Sequence, residues 1–201
     1  MIQKDNEQFR LKAAEIIRRG GVIAFRTDTF YGLGADPLNR AAVARVRKLK
    51  GREDNQPILI LISDQTEVER FIFPSALFES VAAARWPAPL TLIGRARPEV
   101  PAELTSGTDT LGVRLPNDGN VRALVRACGG ALTATSANVS GQPPARTVQE
   151  VENYFREALD LILDGGEVTV SYPSTVFDLS GSEARLIREG AISKAALKSY
   201  L

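Results

Sequence analysis

Apolar residues along the chain alternate between helical spacing and short unbroken runs, and that alternation predicts the order of elements. The segment "DNEQFRLKAAEIIRRGG" offers Asp5 or Asn6 as a cap, puts Phe9, Ala13, Ile16 and Ile17 on one face, and stops at Gly20 and Gly21. It reads as a helix, and "VIAF" follows as a buried strand. "AFRTDTFYGLGADP" then reads as a polar, glycine-rich loop leaving that strand. "NRAAVARVRKLKG" predicts a second helix, capped by Asn39, with Val43, Val46 and Leu49 on one side and Gly51 as the stop. "PILILIS" is apolar at successive positions, as in a strand covered on both faces, and "SDQTEVERF" supplies a capped helix start.

Further on, "SALFESVAAARW" and "NVRALVRACGG" carry helical spacing, while "PLTLIG", "TLGVRL" and "ALTATS" read as strands. Thr147 and Glu150 make a capping box that opens "TVQEVENYFREAL". "LILD", "STVFDL" and "ARLI" predict closing strands before a short terminal helix, "SKAALKSYL". Strand and helix alternate early and strands crowd together late, so the expected class is α/β with a mixed parallel and antiparallel sheet. No repeat or linker interrupts the pattern, and residues 1–201 are expected to form one domain.

Composition narrows the chemistry. Hydrophobic residues are 44% and charged residues 24% of 201, a globular composition, and the net charge of +1 gives no general attraction to nucleic acid or acidic membranes. No apolar run approaches the roughly 20 residues of a membrane span, and nothing at the N-terminus resembles a leader, so a cytoplasmic protein is expected. A single cysteine, Cys128, excludes an internal disulfide framework and suits a reducing compartment. Histidine is absent, which removes Ser-His-Asp and Cys-His nucleophile systems and His-based zinc sites. The chain has no GxxxxGK[ST] motif, and in "GLGADP" Pro37 stands where the dinucleotide fingerprint needs a glycine.

Four polar stretches fall at element ends. In the first, Thr27, Asp28, Thr29 and Tyr31 either face a small ligand, with Gly32 and Gly34 allowing close backbone approach, or form a tight glycine turn. In "KLKGRED", Lys50 and Arg52 answer the negative end of a helix or form part of a basic RNA-facing patch with Arg40, Arg45, Arg47 and Lys48. In "TATSANVSGQPPARTVQE", Ser136, Asn138 and Ser140 either hold phosphate or make a plain Asx/Ser turn. In "PSTVFDLSGSEARLIREGAI", Ser174 opens a strand and Arg188 closes its hairpin partner.

Taken together, "TDTFYGLGADP", "KLKGRED", "RWPAPLTL", "GVRLP", "TSANVSG", "ILDGG", "PSTVFDL" and "IREGAI" resemble the YrdC-like family, the threonylcarbamoyl-adenylate synthases, from about Ile16 to Ile192. The resemblance implies an open, twisted mixed sheet flanked by helices with a deep positive cleft. It also implies synthesis of an activated carbamate from L-threonine, bicarbonate or CO2, and ATP with Mg²⁺, for later transfer to a tRNA adenosine. It gives Thr29, Tyr31, Arg114 and Ser174 to threonine, and Lys50, Arg52, Thr110, Ser136, Asn138, Arg146 and Arg188 to ATP. By the same resemblance, Lys50 and Arg52 match the family's catalytic KxR pair and Ser136 and Asn138 its SxN pair. Mg²⁺ is expected to arrive on the nucleotide, not on protein side chains.

Four positions depart from the family's pattern. Arg26 and Asp28 stand where the loop usually begins Pro-Thr-Glu, Leu61 stands where longer members have a histidine near threonine, and Ala88 replaces a usual glycine. The ending at Leu201 resembles the short form, which relies on separate proteins to pass the product to tRNA. Two rival readings are an RNA-binding module using a basic cleft and a relative forming a carbamoyl adenylate.

Overall fold

Why the chain begins as it does is visible in its first turn. The Asn6 side chain accepts from the Phe9 N–H at 3.0 Å, while Asp5 pairs with Arg10, so Asn6 is the cap. The computed structural model describes residues 1–51, 56–169 and 172–201. A first strand, β1 (Ile2–Lys4), precedes helix α1 (Glu7–Arg18), which ends as Gly20 turns to φ +79° and Gly21 donates to Ile16 at 2.9 Å. Next come β2 (Ile23–Arg26), β3 (Tyr31–Gly34), α2 (Arg40–Leu49) capped by Asn39, and β4 (Ile60–Ile62).

β5 (Ile72–Phe73), α3 (Ala76–Arg85), β6 (Leu90–Ala96), α4 (Ala102–Thr105), β7 (Thr110–Arg114) and α5 (Gly119–Ala127) make up the middle of the chain. The remainder is β8 (Ala131–Thr133), β9 (Thr135–Ser136), α6 (Val148–Phe155), β10 (Leu161–Asp164), β11 (Thr175–Asp178) and β12 (Arg185–Arg188). The Thr147 and Glu150 capping box is formed. "QTEVER" and the terminal "KAALKSY" wind as 3₁₀ turns, not α-helix.

The expected mixed α/β pairing is present, with the strands in two sheets. One runs β1-β10-β2-β3-β9 and the other β12-β11-β6-β7-β4-β8, with β5 added on β6. β1, β10 and β2 pair in parallel and β3 returns antiparallel; in the second sheet β11 with β6 and β4 with β7 are parallel. Residues 131–136 run from one sheet into the other: Leu132 pairs with Leu61, and Ser136 with Gly32. Helices α1 and α5 pack together over strands of both sheets, where Ala13, Ile17, Phe25, Leu61, Val121, Leu124, Leu132 and Leu163 form one core. That shared core holds the two sheets edge to edge and leaves their strand ends facing one opening.

The segment read as a loop after β2 corrects to a hairpin: its second half, Tyr31–Gly34, is a fully buried strand. Glycine at position 34 is required by packing, because a Cβ there would lie 2.7 Å from the Phe25 ring. "PILILIS" contributes only Ile60–Ile62 to pairing, since Ile58 and Leu59 turn their backbones to Leu104 and Ala134. Among the described residues no helix is long and apolar enough to cross a membrane.

Candidate active site

The strand ends of both sheets border a cavity of about 330 Å³ lined by Thr27, Thr29, Tyr31, Arg114, Ser136, Ser174 and Arg188, together with Phe30 and several prolines and aliphatics. The polar groups arrive on separate elements: Thr27, Thr29 and Tyr31 on the β2–β3 hairpin, Arg114 on β7, Ser136 on β9, Ser174 just ahead of β11 and Arg188 on β12. Thr29 sits at the tip of the β2–β3 hairpin, where the Thr27 hydroxyl donates to the Phe30 carbonyl at 2.7 Å and closes the turn. With that proton committed, Thr27 accepts from the Thr29 hydroxyl at 3.1 Å. Thr29 Oγ1 in turn accepts from Arg114 Nη1 at 3.3 Å.

Arg114 is the last residue of β7 and is 3% exposed. Its Nη2 lies 3.2 Å from Asp28 Oδ1, yet that oxygen makes no aligned hydrogen bond and Arg114 Nε has no partner among the described residues. Burial depresses the Arg114 pKa, and Asp28 works against the shift. Arg188 enters from the other side: its Nη2 donates to the Ser174 carbonyl at 2.8 Å and reaches the Ser174 hydroxyl at 3.4 Å. Its pKa is also lowered, first by burial and then by repulsion from Arg114. Two guanidiniums that repel across one cavity gain stability when an anion enters.

Ser174 is joined to Thr91 on β6 by a 3.0 Å hydroxyl contact. Its hairpin requires glycine at position 190, where a Cβ would meet the Pro173 carbonyl oxygen at 2.2 Å. Behind Ser136 of the cavity lining, Lys50 is 1% exposed. Its ammonium donates to the Ser136 carbonyl at 2.6 Å, the Ser136 hydroxyl at 3.3 Å and Asn138 Oδ1 at 2.9 Å. The Asn138 amide then donates to the Val139 and Gln142 carbonyls, and Ser140 N–H returns a bond to Lys50 O. Because Ser136 Oγ accepts from Lys50, its own hydrogen can be given to a ligand oxygen.

Several expected positions are placed differently. Lys50 and Asn138 stand behind Ser136 and do not line the cavity. Tyr31 presents its ring, but its hydroxyl donates inward to the Gly166 carbonyl at 2.9 Å; burial first and Asp164 second push its pKa to about 12. Arg146 lies at the rim, 6.0 Å from the Phe30 ring centre. Thr110 is not brought to this cavity: it begins β7 where Arg114 ends it, about 13 Å away along an extended strand, and bonds to Thr108. Arg52 lies outside the described residues. Leu61 is wholly buried in the α1–α5 core and does not reach the cavity. Arg26 and Asp28 both have defined partners, Asp118 and Arg114. Cys128 is half-buried and lies off the cavity, its thiol raised to about 12 by burial.

The basic helix α2 is engaged within the fold. Arg40 pairs with Glu103, Arg45 with Asp160, and Arg47 bonds to Ser106 and the Glu103 carbonyl. Thr91 is the site residue that the sequence reading misses, its available signal being a threonine inside the apolar strand "PLTLIG"; Asp28, expected to face a ligand with Thr27 and Thr29, is instead the counter-ion of Arg114. Among the described residues no group of three or more His, Cys, Asp or Glu could hold a metal ion, and no carboxylate lines the cavity.

Comparison with known proteins accords with this geometry. The Sua5/YciO/YrdC family model, described as "Telomere recombination", matches residues 15–190. A threonylcarbamoyl-AMP synthase of Halorhodospira halophila is 38% identical over 172 residues, covering 85% of this chain and 90% of that protein. The structure of Pyrococcus abyssi Sua5 complexed with L-threonine superposes with a TM-score of 0.93 at 33% identity, over 100% of this chain and 59% of that one. E. coli YciO superposes with a TM-score of 0.86 at 26% identity, over 100% of this chain and 97% of that one. The chain is a member of the Sua5/YciO/YrdC family.

Proposed function

We propose that this chain is a threonylcarbamoyl-AMP synthase. The threonine amine adds to CO2 to give a carbamate, a carbamate oxygen attacks the α-phosphorus of ATP, and pyrophosphate leaves. The observation that carries this reading is the convergence of Arg114, Arg188, Thr29, Ser136 and Ser174 on one cavity of about 330 Å³. An amino-acid carboxylate and a triphosphate both need guanidinium forks, and the hydroxyls suit an ammonium or side-chain hydroxyl. Similarity to a protein solved with L-threonine supports the choice of amino acid.

In this reading Arg114, Thr29 and Ser174 take the threonine while the Tyr31 ring walls it. Arg188, Ser136, Arg52 and, at the rim, Arg146 meet the nucleotide, with Lys50 and Asn138 holding Ser136 in place. Mg²⁺ enters on the ATP phosphates. Catalysis then consists of orientation and charge stabilisation, as phosphoryl chemistry allows. Residues 1–201 act as one unit in the cytoplasm, and the product serves the modification of tRNA. The internal pairing of the α2 arginines weighs against an RNA-binding role.

Pyrophosphate release from MgATP and bicarbonate, with and without L-threonine, tests the reading. Release that depends on threonine, and far less on serine or glycine, is expected; release indifferent to amino acid, or none, overturns it. Arg52→Ala is expected to abolish the threonine-dependent signal.

A further inference from the structure

The two walls of the threonine subsite belong to different sheets: Thr29 rides on the β2–β3 hairpin, and Arg114 ends β7. Their separation therefore depends on what ties the hairpin to the segment 114–118. Besides the Arg114–Thr29 hydrogen bond itself, two hairpin side chains of opposite charge do so. Asp28, from the hairpin tip, lies 3.2 Å from Arg114 Nη2 and accepts from the Asn117 N–H at 3.2 Å. Arg26, opposite Tyr31 at the last paired position before the turn, gives its Nη1 to Asp118 Oδ2 at 2.8 Å. Asp118 is also the cap of α5, and its other oxygen accepts from Asn120 and Val121 at 2.9 and 3.2 Å.

We infer that Arg26 and Asp118 form a positioning pair that sets the width of the threonine subsite without touching the ligand. Neither lines the cavity. The Arg26 stem packs against residue 165, where a Cβ would come within 2.8 Å of Arg26 Cβ, so the side chain is directed to Asp118. Both side chains are partly shielded, 30% and 19% exposed, so the pair is stronger than a fully solvated one and weaker than a buried one. The inference rests on the threonine reading above.

The cap and the ion pair use different oxygens of Asp118, which separates fold from function experimentally. Asp118→Asn keeps a carbonyl oxygen for the α5 cap and removes the charge that Arg26 meets. In threonine-dependent pyrophosphate release, Asp118→Asn and Arg26→Gln are each expected to raise the half-saturating threonine concentration about two- to fivefold, with that for ATP unchanged. The double variant is expected to be no worse than either single, and Arg26→Lys to recover most of the loss. An unchanged threonine requirement, an equal loss for both substrates, or additive losses overturns the pairing. A fall in thermal stability without a change in threonine requirement also overturns it, as a purely structural contact. Wild-type turnover that ignores threonine sinks the substrate reading itself, whereas threonine-dependent wild-type turnover with unaffected variants sinks only the positioning pair.

Discussion

Arg114 and Arg188 present guanidiniums to the same cavity by opposite means. Arg114 is buried, ends a central strand and carries its own counter-ion, Asp28. Arg188 is exposed along an edge strand and turns its guanidinium in to neutral acceptors on Ser174. The difference teaches how one site can sort two anions. A cation already paired with a carboxylate suits the single carboxylate of a zwitterion, whose ammonium can meet the nearby hydroxyls. A cation with only neutral partners keeps its full charge for a polyphosphate. Burial first and repulsion from Arg114 second lower the Arg188 pKa, and an anion entering between the two guanidiniums offsets that repulsion.

Breaking the buried half should cost most. Arg114→Met leaves the Asp28 carboxylate, 8% exposed, without its cation, and is expected to destabilise the fold by about 3 kcal/mol. It should also lower threonine-dependent turnover by roughly a hundredfold or more, since a charge-assisted fork is lost. Adding Asp28→Asn separates the effects. Denaturant midpoints of the double variant should return most of the way to wild type while threonine use stays lost. A double variant that recovers threonine-dependent pyrophosphate release would remove Arg114 from the threonine subsite.

The exposed half should show the reverse profile. Arg188→Met is expected to cost stability less than about 1 kcal/mol, because no buried charge is orphaned, and to raise the half-saturating ATP concentration about tenfold. Equal effects on ATP and threonine would erase the proposed division of labour. Ser136→Ala removes one hydroxyl that Lys50 holds in place and should weaken ATP use about fivefold, the scale of a single hydrogen bond. Steady-state titrations of each substrate at saturating levels of the other measure all three.

Local signals made much of this legible. Asn6, Asn39 and the Thr147–Glu150 box cap the helices they predict, because a cap acts within three residues and leaves a local trace. β3 escaped because Gly32 and Gly34 look like turn residues; the room that Gly34 leaves for the Phe25 ring appears only when the hairpin is folded. Family resemblance assigned Ser174 to threonine and Arg188 to ATP, whereas spacing alone left the arginine ambiguous and gave no sign of the bond between them. Nothing local announces the Arg26–Asp118 contact, whose partners are 92 residues apart, or the coupling of Asp28 to Arg114 across two sheets. Long-range ion pairs have no period, so they are seen only once topology has brought the strand ends together.

The comparison between the arginines has one last handle, at the far end of the strand pair that carries Arg188. Asp178 closes β11 and accepts from the Ser180 N–H and hydroxyl, at 3.0 and 2.6 Å, and from Arg185 of β12 at 2.7 Å. Burial alone would raise its pKa, but these bonds together hold it below the ordinary carboxylate value. A carboxylate with a depressed folded pKa contributes stability that is present above its unfolded value, about 3.9, and is lost as pH falls through the lower folded value. Asp178→Asn should therefore destabilise the protein by about 1 kcal/mol at pH 7, the scale of a pair with one exposed partner. That deficit should shrink as the pH drops below about 4, where the wild-type group also becomes neutral. Denaturation midpoints measured for both proteins between pH 3 and 7 should converge at the acid end. A deficit that persists unchanged at pH 3 would mean that the loss reflects packing at the strand end and not the charge that fastens the Arg188 strand to the sheet.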